Sequence, residues 1–282
     1  MSNILEINNI NKAYKNFKID NVSFNLPRGY IMGFIGENGA GKTTIIKLIM
    51  NLVKKDSGEI NIFGKDNVKF EKEIKEKIGF VYDQCCYHEH LSLDENAKMI
   101  SKFYKQWDFE VFHSYLNKFS LNKAQKLKDL SKGMKMKFSL CLALSHNAEL
   151  IIMDEPTAGL DPIVRAEVLD VLQSIIEDEQ VGVLISTHIT SDLEKIADYI
   201  TFIREGKIVF SETKDEILES YKIVKGEQSL LTHDIEKYFE GISKNNLGFE
   251  GLTRQSDKIK SILGSSIVIE RATLEDIMIL KK

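Results

Sequence analysis

The sequence is poor in cysteine and has no long hydrophobic run. Its three cysteines, Cys85, Cys86 and Cys141, do not provide a disulfide framework, and we interpret them as reduced thiols. No apolar stretch approaches the roughly 18–20 residues that a membrane-spanning helix requires. The opening residues MSNILEINNI contain no basic segment followed by an apolar one, so we expect no signal peptide. These absences favour a cytoplasmic chain over a secreted or membrane-embedded one.

Charge of one sign is not in large excess either. The chain carries 38 basic and 42 acidic side chains, a net charge of −4, which argues against a general nucleic-acid-binding protein. Hydrophobic residues make up 43% of the 282 residues and charged residues 28%, as in ordinary globular domains. This length allows one large domain, or one domain with a smaller companion. We find no internal repeat and no low-complexity segment.

The hydrophobic pattern predicts strands that alternate with helices. Apolar and polar side chains alternate in residues 3–10 and 19–26, as they do in half-buried strands. Further strands are predicted at 31–36, 59–64, 78–82, 149–154 and 181–187, a hairpin at 199–210, and helices within 42–53, 94–118 and 132–145. This order predicts an α/β fold with a parallel sheet and a predominantly antiparallel N-terminal layer.

The character of the sequence changes near residue 211. Residues 211–282 contain weaker strand and helix signals and close with TLEDIMIL, which begins like a capping box. We therefore predict a main domain at 1–210 and a small α+β accessory region at 211–282. The closing segment has an apolar face that we interpret as core packing, formed by Leu274, Ile277, Met278 and Leu280.

A glycine-rich motif follows the strand at 31–36 and opens a helix. It matches G-x-x-x-x-G-K-[ST] and consists of Gly36, Glu37, Asn38, Gly39, Ala40, Gly41, Lys42 and Thr43. Backbone N–H groups of such a loop wrap a phosphate chain, and the helix N-terminus adds its dipole. Lys42 can reach the β- and γ-phosphates, and the Thr43 hydroxyl can ligate Mg²⁺. With the adjacent Thr44, this P-loop predicts a site for ATP and Mg²⁺.

A second motif, LIIMDE at 150–155, supplies carboxylates. Its buried strand is expected to deliver Asp154 to the coordination shell of the metal ion. Glu155 follows at the position where a general base could polarise an attacking water. An apolar strand that ends in acids is common, but its combination with the upstream P-loop is specific for a P-loop ATPase.

The order of the motifs resembles that of the ATP-binding cassette (ABC) ATPases. The P-loop is followed by DLSKGMK (129–135), LIIMDEPTAGLD (150–161) and VLISTH (183–188). The likeness covers about residues 3–220 and implies a helical subdomain at about 84–146. It also implies head-to-tail pairing with a second ATPase subunit, as a homo- or heterodimer. ATP is then held between the P-loop of one subunit and the signature helix of the other.

The family pattern of the signature turn, residues 130–134, is LSGGQ, and here it is LSKGM. Ser131 and Gly133 match the pattern, so the resemblance implies that they face the γ-phosphate of the partner's ATP. Lys132 and Met134 depart from it.

Lysines at the start of this helix need an explanation. Each cation near a helix N-terminus is disfavoured by about 0.3–1 kcal/mol, and Lys132, Lys135 and Lys137 follow the N-cap residue Ser131. Our hypothesis is that an ATP phosphate offsets this cost. The alternative is that the lysines form a solvated face.

The resemblance assigns three further residues. His188 resembles the switch histidine that contacts the γ-phosphate. Asp161 matches the aspartate at the dimer seam, and it is also placed to cap a helix that begins at Pro162. Tyr14 lies where the family has an aromatic residue stacked on adenine, although a packed strand tyrosine is an alternative.

The residue that corresponds to the family's Q-loop glutamine stays open between Asp83 and Gln84. Either could approach Mg²⁺ or the attacking water. The following segment, CCYHEHLSL, faces the membrane partner in this family. A metal site at its histidines and cysteines lacks a supporting second pair of ligands.

The resemblance implies an ATP-hydrolysing subunit that acts with a separate transmembrane subunit, at the inner face of the cell membrane, and binds no nucleic acid. The LSKGMK segment and the C-terminal appendage resemble bacterial exporter-type systems, including those for antimicrobial and toxin peptides. An ABC ATPase acting on ribosomes or DNA is disfavoured by the single cassette and the absence of sustained heptads. A small-molecule kinase would leave Ser131, Asp161 and His188 unexplained.

Overall fold

A computed structural model of the chain describes residues 2–82, 86–176 and 181–281. The chain divides into two compact units, Met1–Ser211 and Glu212–Lys282, and each contains a hydrophobic core cluster. Within the described ranges, no helix combines the length and the apolar character that a membrane crossing requires.

Two sheets form the framework of the first unit. Their strands are β1 (Asn3–Ala13), β2 (Lys18–Pro27), β3 (Ile31–Ile35), β4 (Ser57–Ile62), β5 (Lys65–Asp66), β6 (Ile78–Val81), β7 (Leu150–Asp154), β8 (Gly182–Thr187), β9 (Tyr199–Arg204) and β10 (Lys207–Thr213). One sheet has the order β2-β1-β4-β5 and pairs antiparallel. The other has the order β10-β9-β3-β8-β7-β6, with parallel pairing from β9 to β6. The predicted α/β architecture with an antiparallel N-terminal layer is confirmed.

Burial explains the two kinds of strand pattern. Every residue of β3, β7 and β8 is buried, as expected for central strands of a parallel sheet that is covered on both faces. In β2, buried and more exposed positions alternate, because one face packs on the core. Parallel strands place their carboxyl ends at one edge of the sheet, so the loops after β3, β7 and β8 meet there.

Helices of the first unit surround this sheet and fill the segment between β6 and β7. Ser92 and Glu95 form a capping box at one helix start, and Asp108 and Ser131 cap two others. The two helices predicted within 94–118 are present and are separated by a 3-10 turn at Ser101–Phe103. The helices are α1 (Lys42–Ile49), α2 (Glu71–Lys75), α3 (Leu93–Ile100), α4 (Phe109–Lys118), α5 (Lys132–Leu144), α6 (Pro162–Ile176) and α7 (Thr190–Ile196).

The second unit is an α+β structure built on an antiparallel sheet. Its helices are α8 (Lys214–Ser220), α9 (His233–Glu236), α10 (Ser256–Leu263) and α11 (Leu274–Leu280), and its strands are β11 (Lys222–Gly226), β12 (Gly241–Asn245), β13 (Gly248–Thr253) and β14 (Ile267–Arg271). The strand order is β12-β13-β11-β14. Val224, Phe249 and Ile259 form its core cluster. Helix α11 starts with the predicted capping box at Thr273 and buries Leu274, Ile277 and Leu280.

Candidate active site

The P-loop adopts a backbone conformation that depends on its glycines. Gly39 and Gly41 have φ values of +83° and +114°, in the left-handed region that favours glycine. A Cβ atom on Gly36 would lie 2.4 Å from the carbonyl oxygen of Ile203, so a larger residue would displace the neighbouring strand. The first turn of α1 contains no acidic residue. The helix N-terminus therefore offers its N–H groups and its dipole to an anion.

Lys42 is buried at the centre of this loop. Its Nζ donates hydrogen bonds to the carbonyl oxygens of Gly36 (2.7 Å) and Glu37 (3.3 Å). It also lies 3.4 Å from a carboxylate oxygen of Glu155, and only 6% of the lysine is exposed. A buried ammonium requires such partners, since an uncompensated charge is costly inside a protein.

Asp154 connects the end of β7 to the P-loop. The Thr43 hydroxyl donates to Asp154 Oδ2 over 2.9 Å, and the Ser186 hydroxyl donates to Oδ1. The donor set of a threonine hydroxyl and an adjacent buried carboxylate consists of hard oxygen ligands, which fits Mg²⁺. Sequence reasoning missed Ser186, although the register of β7 and β8 places it directly beside Asp154.

Glu155 and His188 meet next to Lys42. Glu155 Oε2 lies 2.8 Å from His188 Nδ1, while Oε1 faces the lysine. Glu155 has a φ of +50°, unusual for a residue with a side chain, and its backbone N–H donates to the carbonyl of Ser186 over 2.9 Å. The structure therefore brings together three of the four predicted catalytic residues.

The fourth, Asp161, lies at the start of α6. Its Oδ1 accepts hydrogen bonds from the N–H groups of Ile163 (3.1 Å) and Val164 (3.0 Å), so the predicted helix cap is present. Residues 155–161, which we call the catalytic loop, join this cap to Glu155. Any role of Asp161 at a dimer seam stays a prediction.

Tyr14 follows β1 and is 46% exposed. It lines a cavity of about 750 Å³ together with Glu37, Asn38, Gly39 and Ala40 of the P-loop. The alternative interpretation of a tyrosine packed within a strand is therefore wrong. Sequence reasoning also missed Phe17 and Arg204, which line the same cavity.

The signature turn starts helix α5. Ser131 is the N-cap, and its Oγ accepts a hydrogen bond from the Met134 N–H over 3.2 Å. Gly133 is buried, and a Cβ atom there would lie 2.9 Å from Val164 Cγ1. The starts of α5 and α6 pack directly on each other, and this close packing explains why glycine occupies position 133.

This packing leads to a prediction for Gly133→Ala. Adding a methyl group to a filled site costs about 1–3 kcal/mol, of which the better helix propensity of alanine recovers up to about 1 kcal/mol. The single variant should therefore unfold at lower temperature than the parent. In the Gly133→Ala/Val164→Ala double variant the alanine should fit, with a favourable coupling of about 0.5–3 kcal/mol. Thermal unfolding of both singles and the double measures this coupling, and additive effects would contradict the contact.

The signature-helix lysines have partners within the chain. Lys137 is buried and pairs with Glu167, and Lys135 lies 3.2 Å from Glu89. Carboxylates of the chain itself therefore offset the charges of Lys135 and Lys137, so these two need no phosphate to explain them, and a solvated face does not describe Lys137. Lys132 is exposed and donates to the carbonyl oxygen of Ala158 over 2.6 Å.

The two candidate Q-loop residues, Asp83 and Gln84, lie outside the described residues, as does Cys85. The next loop is held by Asn96, which is buried. Its side chain exchanges 3.0 Å hydrogen bonds with the backbone N–H and carbonyl of His88. This loop exposes His88 and His90 in the segment predicted to face a membrane partner.

Known proteins with similar sequences decide the family. The family pattern described as ABC transporter matches residues 19–158. The bacitracin transport ATP-binding protein of Bacillus licheniformis is 31% identical over 294 aligned positions, which cover 98% of this chain and 96% of that protein. This chain belongs to the ATP-binding proteins of ABC transporters.

Other ABC proteins are also similar to this chain in sequence and in structure. The lantibiotic transport ATP-binding protein of Streptococcus pyogenes is 35% identical over 215 positions, covering 75% of this chain and 92% of that protein. A solved ATP-binding subunit of an ABC transporter superposes with a TM-score of 0.71 at 27% identity, covering 77% of this chain and 92% of that one. A nucleotide-free ATP-binding cassette superposes with a TM-score of 0.66 at 25% identity, covering 77% and 94%. The predicted family and fold are confirmed, and the chain is an ABC ATPase that binds ATP.

Proposed function

We propose that this ABC ATPase powers an exporter, together with a separate transmembrane subunit and a second ATPase subunit that closes on it head to tail. The observation that carries the ATPase part of the proposal is the meeting of Lys42, Glu155 and His188 at the carboxyl edge of the sheet. A lysine placed to bind phosphate beside a carboxylate that can act as general base fits cleavage of a terminal phosphate by water, and the contacting histidine can orient that carboxylate.

The proposed chemistry distributes roles over these side chains. Tyr14 stacks on adenine, and the P-loop amides and Lys42 bind the phosphates. Thr43 and Asp154 would hold Mg²⁺, and the ion would neutralise charge on the phosphate oxygens; the choice between Asp83 and Gln84 as the Q-loop residue stays open. Glu155 accepts the proton of the attacking water, and His188 orients this carboxylate and faces the γ-phosphate. Phosphoryl transfer depends mainly on such positioning and charge stabilisation.

The dimer supplies the remaining groups. Ser131 and Gly133 of one subunit would approach the γ-phosphate bound by the other, with Asp161 at the seam. Support comes from the N-cap geometry of Ser131, which starts a helix without acidic residues in its first turn. Such a helix end is suited to an anion.

Export of peptides is the transport reaction that the relatives favour. Two of them are named for bacitracin transport and for lantibiotic transport. We therefore propose an antimicrobial peptide as the substrate class and the inner face of the cell membrane as the location.

The test is co-purification from the native cell. The tagged chain is expressed at its native level, the membranes are solubilised with a mild detergent, and the bound proteins are identified by mass spectrometry beside an untagged strain. A polytopic membrane protein at near-stoichiometric amounts is the expected result. Ribosomal or DNA-repair proteins without a membrane partner would overturn the transport function and leave the ATPase site intact.

A further inference from the structure

Lys132 stands in the signature turn where the family pattern has glycine. Its ammonium donates a hydrogen bond to the carbonyl oxygen of Ala158, in the middle of the catalytic loop, over 2.6 Å. A Cβ atom on the next residue, Gly159, would lie 3.0 Å from the same ammonium. Lys132 therefore lies directly against the loop that carries Glu155 at one end and Asp161 at the other.

The partner of Lys132 differs from those of the other two lysines. Lys135 and Lys137 pair with carboxylates, whereas the hydrogen-bond partner of the Lys132 ammonium in the described part of the chain is this neutral carbonyl. The first turn of α5 contains no acidic residue that would hold the ammonium over the helix. A hydrogen bond from a charged donor is shorter and stronger than one between neutral groups, so the contact favours one position of the loop relative to the turn.

A second contact joins the same two segments. Gly133 packs against Val164 in the first turn of α6, so the signature turn and the helix after the catalytic loop touch without a gap. At its other end, the catalytic loop holds Glu155 against Lys42 and His188. A continuous series of contacts thus leads from the P-loop through Ala158 and Lys132 to Ser131.

We propose that Lys132 is a positioning residue that couples the two ATP sites of the dimer. The inference rests on the proposed function, in which one subunit uses Glu155 at its own ATP and Ser131 at the partner's ATP. Because Lys132 links the loop of Glu155 to the turn of Ser131, occupation of the first site sets the position of the serine at the second. Two sites joined through an element that both of them shift are coupled in their binding free energies.

Steady-state ATP hydrolysis by the full chain tests the coupling. The parent is compared with Lys132→Met and Lys132→Gln, which remove the long cationic donor, with Lys132→Arg, which keeps it, and with the exposed control Lys128→Met. We expect a Hill coefficient above 1 for the parent. Lys132→Met and Lys132→Gln should bring it close to 1 and lower kcat, because ATP at one site no longer sets the position of Ser131 at the other. Lys132→Arg and Lys128→Met should behave like the parent.

Two controls separate this inference from the proposed function. Affinity of the monomer for ATP, measured below the dimerisation concentration, should be unchanged by Lys132→Met, as should the unfolding temperature. A parental Hill coefficient and kcat in Lys132→Met, or a Hill coefficient of 1 in the parent, would overturn the coupling. If Glu155→Gln fails to dimerise with ATP, the proposed function itself is overturned. If Glu155→Gln dimerises and Lys132→Met behaves like the parent, only the proposed coupling by Lys132 is overturned.

Discussion

Glu155→Gln is expected to lower kcat for ATP hydrolysis by about 10²–10⁴-fold, the usual contribution of a general base. The amide has the size of the carboxylate and can keep the contact with His188, but it cannot accept the proton of the attacking water. It also removes a negative charge 3.4 Å from Lys42, so the affinity for anionic ATP should be unchanged or higher. The variant should therefore accumulate as an ATP-bound dimer.

Phosphate release and light scattering after gel filtration measure both parts of this result. Glu59→Gln is the matched control, because it makes the same chemical change at an exposed position on β4 and should leave both readouts unchanged. Hydrolysis at the parental rate by Glu155→Gln would assign the base to another residue.

Lys42→Met is expected to have the second large effect, on binding as well as on turnover. Methionine approximately fills the space of the buried lysine stem but removes the charged donor. Loss of one preorganised donor to a developing negative charge costs about 10²–10³-fold in rate. Because the ammonium would contact the phosphates already in the ground state, affinity for ATP should fall as well, and no ATP-induced dimer should form.

Equilibrium binding of a fluorescent ATP analogue and single-turnover hydrolysis check this prediction. Lys47→Met lies exposed on the same helix and is the matched control. The two active-site variants should give different results. Glu155→Gln should bind ATP but hydrolyse little of it, whereas Lys42→Met should lose both ATP binding and hydrolysis. Parental affinity in Lys42→Met would show that the backbone of the P-loop alone determines binding.

The site could be predicted from the sequence where its chemistry is carried by short continuous segments. The P-loop and His188 each follow a strand of the parallel sheet, and Asp154 ends another strand just before Glu155; parallel strands bring such ends to one edge. Helix α5 was expected at 132–145 and is found at Lys132–Leu144, since its N-cap and its apolar run are both local signals.

Contacts between distant segments could not be predicted in this way. The hydrogen bond of Ser186 to Asp154 depends on strand register, and the pair of Lys137 with Glu167 depends on how two helices pack. The fit of Gly133 against Val164 likewise has no periodic or compositional signal. The sequence motifs therefore single out the candidate site residues, while the contacts that surround these residues appear only in the packing.

The separate core of residues 212–282 has a consequence for the history of the chain. A unit that fills its own interior with Val224, Phe249 and Ile259 has an apolar core of its own, so the side chains of that core can be exchanged among themselves without repacking the core cluster of the ATPase unit. Relatives differ in how much of this chain they match, since the bacitracin transport protein aligns with 98% of it and the lantibiotic transport protein with 75%. Substitutions inside one core can therefore accumulate without matching substitutions inside the other.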